Sequence, residues 1–199
     1  MTGTWTVPYA AMPEFTYAND KVVLNRDTGK AIVEINYSVS DNGELAAEWL
    51  KGQNATIDGA VKIEGVSGNT YEATEEGYYF VKVNNTKNNS TTEAISRGVW
   101  VRHQASIPQI VSHKVNNTVK TEAPYGAYVG DTLSVVVNNP TYGVLSYQWR
   151  KGAEILSGAT SNSLVVESAG TYDCVITNTY KETVESINSG TFNVSANIS

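Results

Sequence analysis

The chain has 199 residues, 41% of them hydrophobic, with 17% charged and a formal net charge of −6. That length allows one large domain or two of about 100 residues. A pI of about 4.9 with no Lys/Arg cluster argues against a nucleic-acid binder that needs a basic face. Cys174 is the sole cysteine, which rules out an intrachain disulfide and a cysteine-rich zinc site.

Met1 to Ala11 shows no basic stretch followed by an apolar one, so no signal peptide is read there. No apolar run approaches the roughly 20 residues of a spanning helix. The first twenty residues nevertheless carry Trp5, Tyr9, Met12, Phe15 and Tyr17, more apolar surface than a free tail holds. Part of this stretch is either the first strand of a domain or an arm that docks into a partner, with Trp5, Tyr9, Phe15 and Tyr17 as the docking candidates. Turn signals follow at Asp41-Asn42-Gly43, Asp58-Gly59 and Ser67-Gly68-Asn69. Leu45 to Gly52 (LAAEWLKG) is a strand carrying Trp49, and Tyr79, Val81 and Val83 alternate on another. Val99 to Arg102 reads as a last strand. A short join near His103 to Ile107, stiffened by Pro108, leads to a new first strand at Ile110 to Val115.

Leu133 to Val137 and the alternating Leu145, Tyr147 and Trp149 are strands of the second half, divided by Asn138-Asn139-Pro140. Ser157-Gly158 marks a further turn, and Tyr172, Cys174 and Ile176 alternate after it. Leu145 to Gly152 (LSYQWRKG) repeats Leu45 to Gly52 at an offset of 100, keeping Trp, Lys and Gly in place. Gly77-Tyr78-Tyr79-Phe80-Val81 corresponds to Gly170-Thr171-Tyr172-Asp173-Cys174, and both continue to Asn-Thr (Asn85-Thr86, Asn178-Thr179). Gly98-Val99-Trp100 is matched with Gly190-Thr191-Phe192. The first copy holds about seven extra residues between Ile57 and Thr70, expected to lengthen a loop or add an edge strand. The expectation is an all-β chain of two domains, 1–103 (with an arm or first strand in 1–20) and 104–199, joined closely enough to favour an end-to-end spacer on the order of 60–80 Å long.

A Trp on the third strand followed by Gly-x-Tyr-x-Cys, as in Tyr147-Gln148-Trp149-Arg150-Lys151-Gly152 and Ala169-Gly170-Thr171-Tyr172-Asp173-Cys174, resembles the core of immunoglobulin-like domains. The resemblance implies that Trp149 and Trp49 fill the space between two sheets, that Tyr172 sits at a tyrosine corner, and that Tyr79 belongs to the core of the first copy. It also implies that Cys174 faces the position of an absent partner cysteine, with Val137 as the nearest counterpart. In the first copy Val81 takes the cysteine position, with Tyr37 or Ile35 opposite. Disulfide-free modules of this kind are similar to immunoglobulin-like domains of bacterial surface proteins and of tailed-phage virions, including capsid decoration proteins of the highly immunogenic outer capsid protein type and tail proteins. The lone cysteine also fits a reducing cytoplasm or a lineage that avoids disulfides.

Catalytic readings are weak. His103 and His113 flank the join, without a nucleophile elbow or an oxyanion turn nearby, and are read as surface or hinge packing. Asn25-Arg26-Asp27-Thr28-Gly29 and Asp41-Asn42-Gly43-Glu44 hint at calcium loops but lack the ligand alternation, and hairpin turns are the better reading. Glu75 and Glu76, as neighbours on a strand, would face opposite ways. The triplets at Asn54, Asn116 and Asn193 are read as polar surface. Tyr125, Tyr128, Tyr142 and Tyr180 suit either half-buried strands or sugar-stacking loops. No catalytic residue, cofactor or metal is expected. The expected function is a non-enzymatic structural or decoration protein on a phage capsid or tail, its partners other virion proteins and host or environmental glycans, with no nucleic acid and no membrane insertion. The absence of a signal peptide fits a particle released by lysis. The rival readings are a bacterial cell-surface adhesin or spacer, and a carbohydrate-binding accessory segment of a larger enzyme.

Overall fold

The computed structural model describes residues 9–197 and divides the chain into two compact units, Met1–His103 and Gln104–Ser199. All regular elements among the described residues are β-strands, so no helix there is long and apolar enough to cross a membrane.

Unit 1 contains β1 (Glu14–Tyr17), β2 (Lys21–Val23), β3 (Ala31–Ser38), β4 (Glu44–Gly52), β5 (Val61–Lys62), β6 (Thr70–Ala73), β7 (Gly77–Lys87), β8 (Ser90–Ile95) and β9 (Val99–Arg102). One sheet runs β1-β3-β6 and the other β2-β9-β7-β4-β5, with β8 also on β7. Alternation decides which residues meet between them. Ala31, Val33 and Ile35 of β3 point inward from one sheet, and Trp49, Tyr79, Val81 and Val83 from the other, making one apolar cluster. β7 and β8 are joined at Asn88-Asn89, with φ of 50° and 59°. Two left-handed residues in a row give the turn whose twist suits a tight hairpin, and asparagine tolerates that conformation better than most side chains.

Unit 2 repeats the plan with β10 (Ile110–Val115), β11 (Thr118–Lys120), β12 (Tyr125–Tyr128), β13 (Thr132–Val137), β14 (Val144–Lys151), β15 (Glu154–Ile155), β16 (Ser163–Val165), β17 (Gly170–Tyr180), β18 (Thr183–Asn188) and β19 (Phe192–Ser195). Its sheets run β11-β10-β13-β16 and β12-β19-β17-β14-β15, with β18 on β17. In each unit one strand joins the large sheet parallel to the last strand, β2 beside β9 and β12 beside β19.

The extra residues of unit 1 lie in 53–69, between β4 and β6, against 152–162 in unit 2. Each span holds a single two-residue strand, so the insertion lengthens a loop and adds no strand. Its effect appears at Phe80, which is 1% exposed although it lies on the outward side of β7 and outside the core cluster. The ring lies over Gly98, where an added Cβ would come within 2.8 Å, and beside Gly52, which Ala60 also approaches. Unit 2 has Asp173 at this place, paired in the sheet with Arg150 and bonded to its guanidinium.

Candidate functional site

The two indoles are fully buried, and both are satisfied. Trp49 Nε1 donates to the Gly68 carbonyl and Trp149 Nε1 to the Ser161 carbonyl, each at 2.9 Å. Tyr79 and Tyr172 donate their hydroxyls to the carbonyls of Glu75 and Ser168, both at 2.8 Å, four residues upstream. These bonds pin the turn that precedes β7 and β17. Val81 and Cys174 are paired in register with Trp49 and Trp149. Burial pushes the Cys174 thiol up to about 11, so it stays protonated and inert at neutral pH.

Three details differ from expectation. Val137, expected as the counterpart of Cys174, is half-buried at the margin of the unit 2 core, while Val135 of the same strand is 0% exposed; of the two candidates opposite Val81, Ile35 is 0% exposed and Tyr37 is half-buried. Depth along the apolar run Leu133 to Val137 is set by the facing sheet. The match of Gly98-Val99-Trp100 to Gly190-Thr191-Phe192 is one residue out of register. Tyr79 pairs with Val99 and Tyr172 with Phe192, so Phe192 corresponds to Val99. A slip of one turns a side chain to the opposite face. Trp100 accordingly stacks on Tyr78 outside the core, at 6.1 Å and 10° between planes, with the Arg102 guanidinium 4.6 Å from its ring. Finally, Glu75 and Glu76 lie in the turn before β7 and not on a strand. Glu75 pairs with Lys51, which holds its carboxyl below the usual range, and Glu76 accepts from the His103 amide.

Two duplicated polar devices escaped the sequence reading. Ser96 and Ser189 each follow the penultimate strand, β8 or β18, in the break before the last strand of the unit. Their hydroxyls accept the Val81 and Cys174 amides at 2.9 Å, and their own amides donate back to the same residues' carbonyls. The second device is Asn85 and Asn178, both fully buried. Asn85 Nδ2 donates to the Ala11 carbonyl and to Asp41, and Asn178 Nδ2 donates to the carbonyls of Ser106 and Tyr142. Gly43 and Gly143 make room for these amides, since a Cβ at either would fall about 2 Å from the side-chain oxygen. The shared Asn-Thr dipeptide was the available signal, but only the fold shows that its asparagine faces inward.

A cleft opens beside each tyrosine corner. In unit 1 it measures about 460 Å³ and is walled by Lys51, Gln53, Lys62, Tyr71, Glu75 and Tyr79. In unit 2 it shrinks to about 260 Å³ around Lys151, Leu156, Ser168 and Tyr172. Lys51 lies over the Tyr79 ring and pairs with Glu75, whereas Lys151 lies over Tyr172 and donates to the Ser168 hydroxyl at 2.8 Å. The longer loop of unit 1 supplies Gln53, Lys62 and Ile63, which explains the larger volume. Mixed donors and acceptors over a tyrosine wall can hold a small polar ring but offer no activated nucleophile.

The docking candidates separate. Phe15 and Tyr17 sit in β1 and pack on the core of unit 1, and the Tyr17 hydroxyl accepts the Arg97 amide at 2.9 Å. Tyr9 is 85% exposed, and Trp5 lies outside the described residues. His113 is stacked on Tyr125 at 4.2 Å and bonds the Ser189 carbonyl. Burial lowers its pKa, opposed in part by that bond. Asp41 accepts the amides of Ala11 and Gly43, and Asn25 Oδ1 those of Asp27 and Thr28, so the leading side-chain oxygens of both calcium-like segments are taken up by backbone amides. Among the described residues no group of three His, Cys, Asp or Glu side chains is placed to hold a metal.

No protein-family model matches the sequence, and no curated protein sequence does. Solved structures do. The four-domain immunoglobulin segment of Sidekick-1 is similar to 95% of this chain over 50% of its own length, at 14% identity and a TM-score of 0.53. The N-terminal four immunoglobulin domains of Dscam1 isoform 4.4 match at 15% identity and a TM-score of 0.44, over 96% of this chain and 47% of theirs. A C-terminal fragment of intimin, solved with the intimin-binding domain of its translocated receptor, matches at 11% identity and a TM-score of 0.43, over 91% of this chain and 64% of its own. The chain thus spans about half the length of the first two. The sheet order, the buried tryptophans and the likeness to Sidekick-1 make this chain a tandem of two immunoglobulin-like β-sandwiches that contain no disulfide.

Proposed function

We propose that this protein is a non-enzymatic structural and adhesion protein of a tailed-phage virion, displaying its sandwiches on the capsid or tail surface and holding glycans weakly. The observation that carries this reading is the way each sandwich closes. The cystine position is occupied by Val81 or by the inert Cys174, while Trp, Tyr and Asn side chains do the stapling in duplicate. Such modules need no oxidising compartment to fold, as befits a particle assembled in a reducing cytoplasm. Their stability resides in the interior, leaving outer faces free to contact other virion proteins or sugars. The unit 1 cleft, with Gln53 and Lys62 at its rim, suits a single sugar ring.

The test is mass spectrometry of purified particles, with immunogold labelling to locate the chain. Presence at a stoichiometric copy number on capsid or tail supports the proposal. Complete absence from particles, with the protein anchored to a bacterial wall or attached to a hydrolase, sinks it. A glycan array reads the adhesion separately, and a Gln53→Ala/Lys62→Ala protein should lose any signal that the wild type gives.

A further inference from the structure

The tyrosine corners of the two units are built alike except at one residue. In each, the corner tyrosine is bonded to the carbonyl four residues upstream, Glu75 in unit 1 and Ser168 in unit 2, so these two residues hold equivalent places. A lysine of the neighbouring strand reaches both of them. The stems of Lys51 and Lys151 run over Gly77 and Gly170, where an added Cβ would come within 2.9 and 2.6 Å of the lysine Cε. Their ammonium groups lie 6.0 and 5.8 Å from the centres of the Tyr79 and Tyr172 rings, and each lysine is paired in register with that tyrosine. Both units therefore hold a cation at the same spot.

What the cation meets there differs. Lys51 pairs with the Glu75 carboxylate, which that pairing keeps below the usual range. Lys151 meets the Ser168 hydroxyl at 2.8 Å and forms no ion pair among the described residues. Because the Tyr172 hydroxyl donates to the Ser168 carbonyl, Ser168 is the donor in the 3.2 Å contact between the two hydroxyls. Ser168 is exposed, and turning its hydroxyl places a second donor beside the ammonium. A cation and a neighbouring hydroxyl donor are what an oxyanion needs. The cleft beside them, about 260 Å³, is walled by Leu156 and Leu164 as well as Tyr172. That is less than the roughly 300–1,000 Å³ of sites for larger ligands, and it leaves room for one ring.

We propose that the unit 2 cleft is a site for an acidic sugar, a single pyranose bearing a carboxylate. The sugar's carboxylate takes on Lys151 and Ser168 the place that Glu75 takes on Lys51 in unit 1. The two leucines face the C–H side of the ring. Glu167 also lines the cleft and works against an anion, which keeps the binding weak. Unit 1 supplies its own carboxylate and excludes an anion from the equivalent spot, so duplication has yielded one cleft for a neutral ring and one for an acidic ring. The proposal rests on the sugar-holding reading above for its class of ligand, but it concerns a different unit and different residues.

The test is a titration of the full chain with glucuronate, its methyl ester and acetate, read by amide shifts in proton–nitrogen NMR spectra. Glucuronate should give saturable shifts around Ser168 and Gly170, with the neutral ester weaker by about fivefold. Ser168→Glu provides a carboxylate as unit 1 does and should abolish the response. Glu75→Ser should create a new one around Lys51, and Glu167→Gln should tighten binding in unit 2. The Gln53→Ala/Lys62→Ala protein should keep the unit 2 response, so failure here and failure of the unit 1 cleft are told apart. No shifts in unit 2, equal binding of the ester, or undiminished binding by Ser168→Glu would overturn the proposal. Acetate binding as tightly as glucuronate would show a site for bare anions and overturn the assignment to a sugar. Absence of a gain in Glu75→Ser would overturn the exchange of carboxylates on which the assignment stands.

Discussion

Cys174 and Val81 occupy equivalent places with different chemistry, so the sulfur contributes volume and not reactivity. Cys174→Val conserves shape and should change stability by less than about 1.5 kcal/mol, measured by chemical denaturation with and without reductant. A larger loss would mean that the thiol has a bonding role beyond packing. His113 makes a sharper case. Its ring is enclosed by Tyr125, Phe192 and the Ser189 carbonyl, and burial favours its neutral form in the folded chain. The unfolded chain takes up the proton near the ordinary value of about 6.5. The stabilisation is therefore complete above that pH and declines as pH falls towards the lower folded-state pKa, below which it levels off. The melting temperature of wild type minus that of His113→Phe should shrink between pH 7.5 and pH 5. A difference that stays constant with pH would contradict the enclosure.

The two large sheets differ on their outward faces because of one loop. In unit 1 the residues added between β4 and β6 bring Ala60 back onto Gly52 and roof Phe80, while unit 2 leaves that place to the Arg150–Asp173 pair. Phe80→Ala should therefore cost as much as a core truncation, about 3–5 kcal/mol, although the residue lies outside the core cluster. Limited proteolysis should then cut within residues 53–60, and an unchanged cleavage pattern with unchanged stability would show that the roof does not depend on the ring. The turns at Asn88-Asn89 and Asn116-Asn117 belong to the same scale. Their left-handed backbones suit asparagine, and their hairpins set the register of β7 with β8 and of β10 with β11.

Each unit has its own indole, corner tyrosine, serine break and asparagine clasp, and so its own reason to fold. Calorimetry should resolve two transitions. Trp149→Ala should lower one of them, by about 3–5 kcal/mol for that unit, and leave the other in place. A shift of both together would mean that the units unfold as one.

The repeated Trp-x-Lys-Gly and Gly-x-Tyr segments were enough to read the all-β class, the two copies and the buried residues Trp49, Trp149, Tyr79 and Tyr172, because strand alternation and turn chemistry are local. Position within the sandwich was not legible in the same way. That Val135 lies deeper than Val137, that Trp100 faces outward while Phe192 faces inward, and that Asn85 and Asn178 turn in to clasp a distant segment all depend on which strand comes to lie alongside. Pairing register and the facing sheet settle these matters, and they arise only when strands far apart in sequence meet.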